Sequence, residues 1–398
     1  MLHQQKQHLS NVKVLFTTRL LKPLLLLLYS ATFVVMCRYT IKHSEFDLDI
    51  LFYSACAMDE HYTDKIELHK AVYQKAFIEL GAKKFLTYTD SAKQIRNNYF
   101  KNPTRFIDML PYYQVKTFYV FILKLGFQRG YSPFIFSVYI NIFCYLIVSL
   151  LFFDILRRKL GFIQGILISY LVLLSPAFTS TLISNTPDLL SASLLLSGIY
   201  CLLRNILPLT YLSLLCFSLL VLTRTENVLF VMIFSGCAMI YKVKNLPPYY
   251  FLLLVLLCMG VYFLNSNSMG FSSWKNLYKL TNLPPEDITS PMGELTIKEY
   301  LLGFRRIPNN IFYCDVSLIV LFSIVPILNK IPTEKSQLIY LLVWSNLLFL
   351  IARILLLPDI TNRYFCGSFL VSVICFFYLS NGMLKPKVQN HSASSLDR

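Results

Sequence analysis

An acidic stretch early in the chain holds the residues best suited to chemistry. Residues 42–64 read KHSEFDLDILFYSACAMDEHYTD and carry six carboxylates: Glu45, Asp47, Asp49, Asp59, Glu60 and Asp64. Carboxylates at every second position point to one side of an extended chain. Such a group can deprotonate a hydroxyl. We therefore predict a catalytic role for Asp47, Asp49, Asp59 and Glu60, against the alternative of a solvated acidic loop with helix caps.

A metal ion is one interpretation of these carboxylates. Asp47 and Asp49 could hold a divalent cation, Mg or Mn, through oxygen ligands and set it against a phosphate leaving group. The histidines do not extend this site, because His61 and His69 are eight residues apart with no third partner nearby. The ten cysteines are scattered and form no CxxC pair, so the sequence predicts neither a zinc site nor disulfides.

A second set of charged residues lies at the edges of apolar segments: Asp188, Arg224, Glu226, Arg353, Asp359 and Arg363. A charge near an apolar zone is costly, so it is usually paired or faces a cavity. Arginine offers a planar fork of donors that matches phosphate oxygens, and we predict Arg224 and Arg363 as phosphate ligands. The alternatives are snorkelling to the interface or an internal ion pair, such as Arg224 with Glu226. The predicted lining of the substrate site is Glu45, Tyr53, Tyr112, Tyr113 and Asp188.

The composition of the chain is that of a membrane protein. Of its 398 residues 56% are hydrophobic and 15% charged, with a mean hydropathy of +0.55. Soluble domains are about 45–50% apolar and about 25% charged. The net charge of +16 does not indicate a nucleic-acid partner, because the basic residues lie at the edges of apolar spans, where they orient the protein in the bilayer. We predict an all-α integral membrane protein.

About ten segments are long and apolar enough to be predicted as membrane helices, at 20–41, 131–153, 161–183, 187–203, 206–222, 227–241, 247–264, 309–328, 336–357 and 364–383. With residues 1–19 in the cytoplasm, the short inner loops are rich in Lys and Arg, as orientation requires. The polytopic domain then covers 20–383, and 384–398 forms a cytoplasmic tail. Two extracytoplasmic loops, 42–130 and 265–308, have nearly balanced charge.

The first of these loops has helical periodicity. Asp64 and Glu67 resemble a capping box, and Gly81 is a plausible helix end. A second short helix is predicted from Asp90 to Lys101. The segment 110–127 is interpreted as one helix lying in the membrane interface, because a polar stripe runs along it. In the second loop, Trp274, Tyr278, Pro284-Pro285 and Arg305-Arg306 are predicted either to cover a cleft or to form a plain connector.

The placement of the acidic residues resembles that of a known family. An acidic pair shortly after the first membrane helix is typical of the GT-C superfamily, polytopic glycosyltransferases that use lipid-phosphate-linked sugars. The matching segments here are Glu45-Phe46-Asp47, Asp47-Leu48-Asp49, Asp59-Glu60, Pro111-Tyr112-Tyr113, Asn185-Thr186-Pro187-Asp188, Leu222-Thr223-Arg224 and Asn362-Arg363-Tyr364. The resemblance covers most of the chain, although each motif is short and a doubled proline before the tyrosines is missing.

The resemblance implies a polyprenyl- or dolichyl-phosphate-linked sugar as donor, with a glycan, lipid or protein as acceptor. It implies transfer on the extracytoplasmic face with inversion at the anomeric carbon, Asp47 or Asp49 activating the acceptor hydroxyl. The expected location is a bacterial inner membrane, among membrane lipids, with both termini cytoplasmic. Three other readings stay open: a polymerase or ligase of lipid-linked glycans, a transporter or flippase, and an assembly subunit without enzymatic activity.

Overall fold

The described part of the chain is built from helices. The computed structural model describes residues 2–90, 94–241, 243, 246–268, 278, 295–304, 316–329, 337–358 and 361–380, with side chains from residue 20 onward. Within them the regular secondary structure is helical, which confirms the all-α prediction. The helices are α1 (Leu2–His43), α2 (Asp49–Met58), α3 (Lys65–Thr89), α4 (Gln94–Lys101), α5 (Pro103–Asp108), α6 (Leu110–Gln114), α7 (Thr117–Gln128), α8 (Pro133–Leu160), α9 (Phe162–Leu173), α10 (Pro176–Ile183), α11 (Asp188–Arg204), α12 (Leu207–Thr223), α13 (Asn227–Tyr241), α14 (Pro248–Ser268), α15 (Ile297–Gly303), α16 (Val316–Asn329), α17 (Gln337–Leu356) and α18 (Cys366–Ser380).

Five segments are long and apolar enough to cross a membrane, as expected of a multi-pass membrane protein. They are Leu20–His43, Pro133–Leu160, Pro248–Asn265, Gln337–Leu356 and Arg363–Ser380. Shorter apolar helices occupy most of the other predicted spans, so the count of ten spans stays a prediction. The burial of the segments differs: 6% of the first is buried inside the protein and 67% of the last. The first helix is therefore peripheral, and α18 lies at the centre of the bundle.

Two predicted helices are interrupted. The span predicted at 161–183 consists of α9 and α10, because Ser175 accepts a hydrogen bond from the amide of Phe178 and Pro176 starts a new helix. The segment predicted as one helix at 110–127 is divided in two, since α6 ends at Gln114 and α7 begins at Thr117. Between them Lys116 has φ −87° and ψ 54°, which is not helical. The location of this segment in the membrane interface stays a prediction.

The second helix of the segment 42–130, α3, has a capped start. The Asp64 side chain accepts from the amide of Ile66 at 2.8 Å, so Asp64 caps α3 without the predicted partnership with Glu67. Gly81 breaks α3 into two parts, at φ 73° and ψ 160°. The helix predicted from Asp90 begins at Gln94 in the described residues.

Several predicted features lie outside the described residues. They are Trp274, Pro284-Pro285, Arg305-Arg306, Asp359 and the tail 384–398. Tyr278 of the second outer loop is described: it is buried, and its hydroxyl donates to the carbonyl of Tyr300 at 2.5 Å. The domain boundaries proposed from the sequence therefore stay predictions.

Helix ends converge at one end of the bundle. The amide of Glu45, just after α1, donates to the carbonyl of Ile183 at the end of α10 at 3.0 Å. Glu45 and Ser184 thereby form an isolated parallel bridge. α18 packs against α8, α11, α16 and α17, and Gly367 allows it to approach α11 closely beside Ala192. The starts of α2, α11 and α18 and the end of α12 are thus brought to the same place.

The break at Gly81 gives the first testable prediction. Its φ and ψ fall in a region that only glycine occupies at low cost, so Gly81→Ala should lower stability by about 1–3 kcal/mol. A Cβ at this position meets nothing within 4 Å, so the loss would come from the backbone alone. Gly236→Ala is the matched control, since it also meets open space but lies in a helix, where alanine is favoured. Thermal unfolding in detergent measures both, and equal melting temperatures would contradict the prediction.

Candidate functional site

Arg363 is the centre of a charged cluster. It lies in the turn Asn362–Phe365 that leads into α18, and its side chain is 16% exposed. One terminal nitrogen donates to Asp47 Oδ2 at 2.6 Å and the other to Asp49 Oδ2 at 3.2 Å. Its Nε lies 3.7 Å from Asp188 Oδ2. One guanidinium therefore joins three carboxylates from two distant parts of the chain.

Asp47 and Asp49 reach this guanidinium through a helix start. The sequence suggested an extended chain with carboxylates on one side, but Leu48 has helical angles and Asp49 begins α2. Asp49 also accepts a hydrogen bond from the Tyr113 hydroxyl at 2.9 Å. Glu45 does not join them, because its side chain is exposed while its backbone makes the bridge to Ser184. The acidic stretch thus contributes two of its carboxylates to the cluster.

Asp188 is shared by two arginines. It begins α11, its side chain is 2% exposed, and it forms ion pairs with Arg224 as well as Arg363. The Thr186 hydroxyl donates to its Oδ2 at 2.7 Å. Arg224, which follows α12, also binds Glu226, with Nε at 2.7 Å and a terminal nitrogen at 2.6 Å. The ion pair with Glu226, given from the sequence as an alternative to phosphate binding, is therefore present, together with an ion pair to Asp188 that was not predicted.

Glu226 is held in its ionised form by the arginines around it. Burial alone would raise the pKa of Glu226, but the guanidiniums of Arg224 and Arg353 outweigh burial and lower it to about 2. Glu226 is therefore an anion at neutral pH and forms a lasting partner for Arg224. An arginine with such a partner is less available to an incoming anion than a free cation would be.

A tyrosine ring lies beneath three guanidiniums. The central carbons of Arg224, Arg353 and Arg363 lie 4.6, 4.8 and 5.1 Å from the centre of the Tyr364 ring. Cations over an aromatic face are attracted by its quadrupole, more strongly when water is excluded. The Tyr364 hydroxyl also accepts from Arg363 at 3.3 Å. Tyr364 therefore offsets part of the repulsion among three like charges.

Lys116 completes the cluster from the turn before α7. Its ammonium lies 5.1 Å from the centre of the Tyr53 ring and 4.9 Å from that of Tyr113. Burial, opposed by the nearby Asp49 and reinforced by Arg224, lowers the pKa of Lys116 to about 8. Sequence reasoning missed this residue. A lone lysine beside an aromatic segment is a common interfacial pattern, and only its position three residues after Tyr113 of Pro111-Tyr112-Tyr113 could have singled it out.

The cluster encloses very little free space. The cavity that it lines has a volume of about 20 Å³, which is room for one water molecule. Its walls include Asp188, Arg224, Glu226, Arg353, Arg363 and Tyr364. A sugar ring does not fit this space, so a ligand of that size must separate ion pairs when it enters.

Some predicted site residues lie elsewhere. Asp59 and Glu60 lie at the far end of α2, about 15 Å along its axis from Asp49. Asp59 forms an ion pair with Lys65 at 2.5 Å, and Glu60 forms one with Lys124. The structure therefore separates this acidic pair from the cluster.

Of the tyrosines predicted to line the substrate site, two lie in the cluster and one lies outside it. Tyr53 is buried against Tyr113, with ring centres 5.0 Å apart, and both rings lie beneath Lys116. Tyr112 is half-buried and lies near Tyr99. The residues that the structure gathers are thus Asp47, Asp49, Tyr53, Tyr113, Asp188, Arg224 and Arg363.

The cluster does not suit a divalent cation. Asp47 and Asp49 are both bound by Arg363, and among the described residues no three His, Cys, Asp or Glu side chains are grouped to hold a metal ion. Magnesium and manganese need several oxygen ligands free of competing cations. The predicted metal role of Asp47 and Asp49 therefore finds no supporting ligand set here.

The chemistry of the site must be read from its own geometry. No protein-family model matches the chain, and neither a curated protein nor a solved structure matches it. The arrangement offers carboxylates that can accept a proton, cations that can bind a phosphate or similar anion, and aromatic rings on one side. The charged groups lie at or beside helix ends, at one end of the bundle.

Asp188 gives a prediction about stability. Asp188→Asn removes the charge that two buried arginines share, and breaking a buried ion pair from one side costs roughly 3–5 kcal/mol. Asp59→Asn is the matched control, because it removes the same charge from a more exposed pair, worth about 1 kcal/mol or less. Thermal unfolding in detergent measures both. A melting temperature of Asp188→Asn as high as that of Asp59→Asn would contradict a shared buried counter-ion.

Proposed function

We propose that the protein is a membrane glycosyltransferase that moves a sugar from a polyprenyl- or dolichyl-phosphate-linked donor to an acceptor hydroxyl on the extracytoplasmic face. The observation that carries the proposal is the meeting of Asp47 and Asp49 with Arg363 at one end of the bundle. These residues were singled out by their resemblance to GT-C motifs, and they lie more than 300 positions apart in the chain. Their proximity supports a common site.

The reaction is a single displacement. The acceptor oxygen forms a bond to the anomeric carbon while the bond from that carbon to the phosphate oxygen breaks. The hydroxyl proton passes to a carboxylate oxygen of Asp47 or Asp49. The lipid phosphate leaves with the electron pair, and its negative charge is stabilised by cations of the cluster, for which Arg224 and Arg363 were the first candidates. Attack opposite the leaving group inverts the anomeric centre.

The ion pairs of the resting site connect the activation of the acceptor hydroxyl with the binding of the donor phosphate. Arg363 holds the same carboxylates that would accept the proton, so neither group is available while they are paired. A donor phosphate that attracts Arg363 would release Asp47 and Asp49 to the acceptor. The base would then become available when the leaving group is in place.

The location of the cluster favours a transferase over a transporter. In transporters, ionisable binding groups lie near the middle of the bilayer, often at interrupted helices. Here Asp188, Arg224 and Arg363 all lie at helix ends, and alternating helices would bring those ends to the side of the first outer segment. A bacterial inner membrane with cytoplasmic termini belongs to the same proposal, as does a donor chain lying between helices.

A transfer assay tests the function. Purified protein is given a panel of polyprenyl-phosphate sugars with candidate glycan, lipid and peptide acceptors, and the release of free polyprenyl phosphate is measured. The wild type should release it with one of the donors. Asp47→Asn/Asp49→Asn should be slower by about 10²–10⁴-fold, the usual contribution of a general base, while donor binding persists.

A matched double variant controls for charge. Asp59→Asn/Glu60→Gln removes the same two charges at the other end of α2 and should keep activity within about threefold, since these residues lie outside the cluster. Full activity in Asp47→Asn, Asp49→Asn and their double would overturn the assignment of the base. Failure of well-folded wild type to bind any lipid-linked sugar would overturn the function itself.

A further inference from the structure

Lys116 is held in place by the end of a membrane-spanning segment. Asn265 ends the segment Pro248–Asn265, and its side-chain amide donates from Nδ2 to the carbonyl of Val115 at 2.7 Å. The Thr117 hydroxyl hydrogen-bonds the side-chain oxygen of the same asparagine. The amide of Lys116 itself donates to the carbonyl of Tyr113 at 3.1 Å. Both neighbours of Lys116 are thus fixed, so its side chain is directed by a rigid turn.

The cations of the cluster differ in what they bind. Arg224 and Arg363 are each paired with two or more carboxylates. Lys116 forms no ion pair with any carboxylate that the structure describes, and its nearest neighbours are two aromatic rings. The titratable and charged groups that face it are Asp49 and Tyr53 from α2, Tyr113 from α6, Arg224 and Glu226 from the turn after α12, and Arg363 from the turn before α18.

An ammonium that forms no ion pair with any described carboxylate is costly to the fold in this position. Burial of a charge without a counter-ion is unfavourable, and contact with aromatic rings offsets only part of the cost. The two nearby arginines repel it further. An anion bound to Lys116 would remove this cost. An anion bound to Arg224 or Arg363 would first have to displace the carboxylates that these arginines already bind.

The start of α7 also favours the binding of an anion beside Lys116. Lys116 is the residue before the first helical residue of α7, and no side chain caps that end of the helix. The first amides of a helix lack intrahelical partners and carry the positive end of its dipole. An anion held by the Lys116 ammonium would therefore lie near a second source of positive potential.

We infer that Lys116 is the phosphate-binding residue of the resting site, and that the anion it takes is a phosphate monoester or diester. This assignment rests on the proposed function for the source of the phosphate, a lipid-linked sugar. In this assignment the donor phosphate first contacts Lys116, and not Arg224 or Arg363. The arginines would then exchange their carboxylates for the phosphate only after Lys116 has bound it.

Binding of polyprenyl phosphate without a sugar tests the inference. The protein is reconstituted in nanodiscs of uncharged lipid, and the affinity for polyprenyl phosphate is compared with that for inorganic phosphate. Lys116→Met should weaken the binding of polyprenyl phosphate by about tenfold or more, while Lys116→Arg should stay within about threefold of wild type. Lys124→Met is the matched control, since Lys124 lies on α7 but pairs with Glu60, and it should bind as wild type does.

Stability separates a binding role from a structural one. Because the ammonium forms no ion pair with any described carboxylate, Lys116→Met should raise the melting temperature by about 1–3 °C while it loses the ligand. A lysine that mainly holds the fold together would instead lower the melting temperature when removed. The same melting curves show whether the variant is folded, so loss of binding cannot be confused with loss of structure.

The pH dependence supplies an independent signature. With a pKa of about 8, Lys116 is protonated at pH 7 and largely neutral at pH 9. The affinity of wild type for polyprenyl phosphate should therefore fall about tenfold from pH 7 to pH 9, since the ligand itself is fully charged over this range. Lys116→Arg stays protonated and should keep its affinity throughout.

The outcomes separate this inference from the proposed function. Wild-type affinity in Lys116→Met overturns the inference, even if the protein transfers sugar. Binding that needs Lys116, in a protein that transfers no sugar from any donor, supports the inference and overturns the function. Binding of inorganic phosphate alone, still lost in Lys116→Met, supports a phosphate site at Lys116 and overturns the lipid as its source.

Discussion

The structure depends on how a buried guanidinium is neutralised. Arg363 can lie between α2 and α11 only because Asp47, Asp49 and Asp188 surround it. Without the arginine, three carboxylates would repel one another. Without the carboxylates, the arginine would be a buried charge with no partner, which costs several kcal/mol. This mutual requirement fixes the relative positions of helices that the hydrophobic core alone could allow to slide.

The arrangement also explains how so many like charges tolerate one another. The guanidiniums of Arg224, Arg353 and Arg363 all lie against the ring of Tyr364. Glu226 forms an ion pair with Arg224, and Asp188 forms ion pairs with both Arg224 and Arg363. Each cation thus meets either an anion or an aromatic surface. Networks of this kind are stable only when every member is satisfied. Lys116 differs from the arginines because it meets aromatic rings and forms no ion pair with a carboxylate among the described residues, which is the reason to read it as a residue that binds an outside anion.

The sequence predicted the pieces of the site better than their grouping. Charges at the edges of apolar segments had to be paired or functional, which singled out Asp188, Arg224 and Arg363. The sequence could not show which acidic pair belongs to the site, because Asp47 with Asp49 and Asp59 with Glu60 look alike locally. What distinguishes them is Arg363, some 300 positions away, which binds Asp47 and Asp49 only. The helix break at Gly81 was readable from residue type. The breaks around Lys116 and Ser175 were not, because hydropathy does not register where an apolar segment bends.

The pairing of Asp47 with Arg363 also bears on how the protein is made. Their positions differ by 316 residues, so at about 5–20 residues per second the acidic end leaves the ribosome roughly 15–60 s before its partner. Throughout that interval the early helices are in place with their carboxylates unmatched. Arg363 supplies the missing charge, so this part of the cluster can form only after the helices that precede it have been made. A nascent chain that has not yet reached Arg363 would hold the early helices with Asp47 and Asp49 lacking this counter-ion, so closure of the cluster marks a late stage of synthesis.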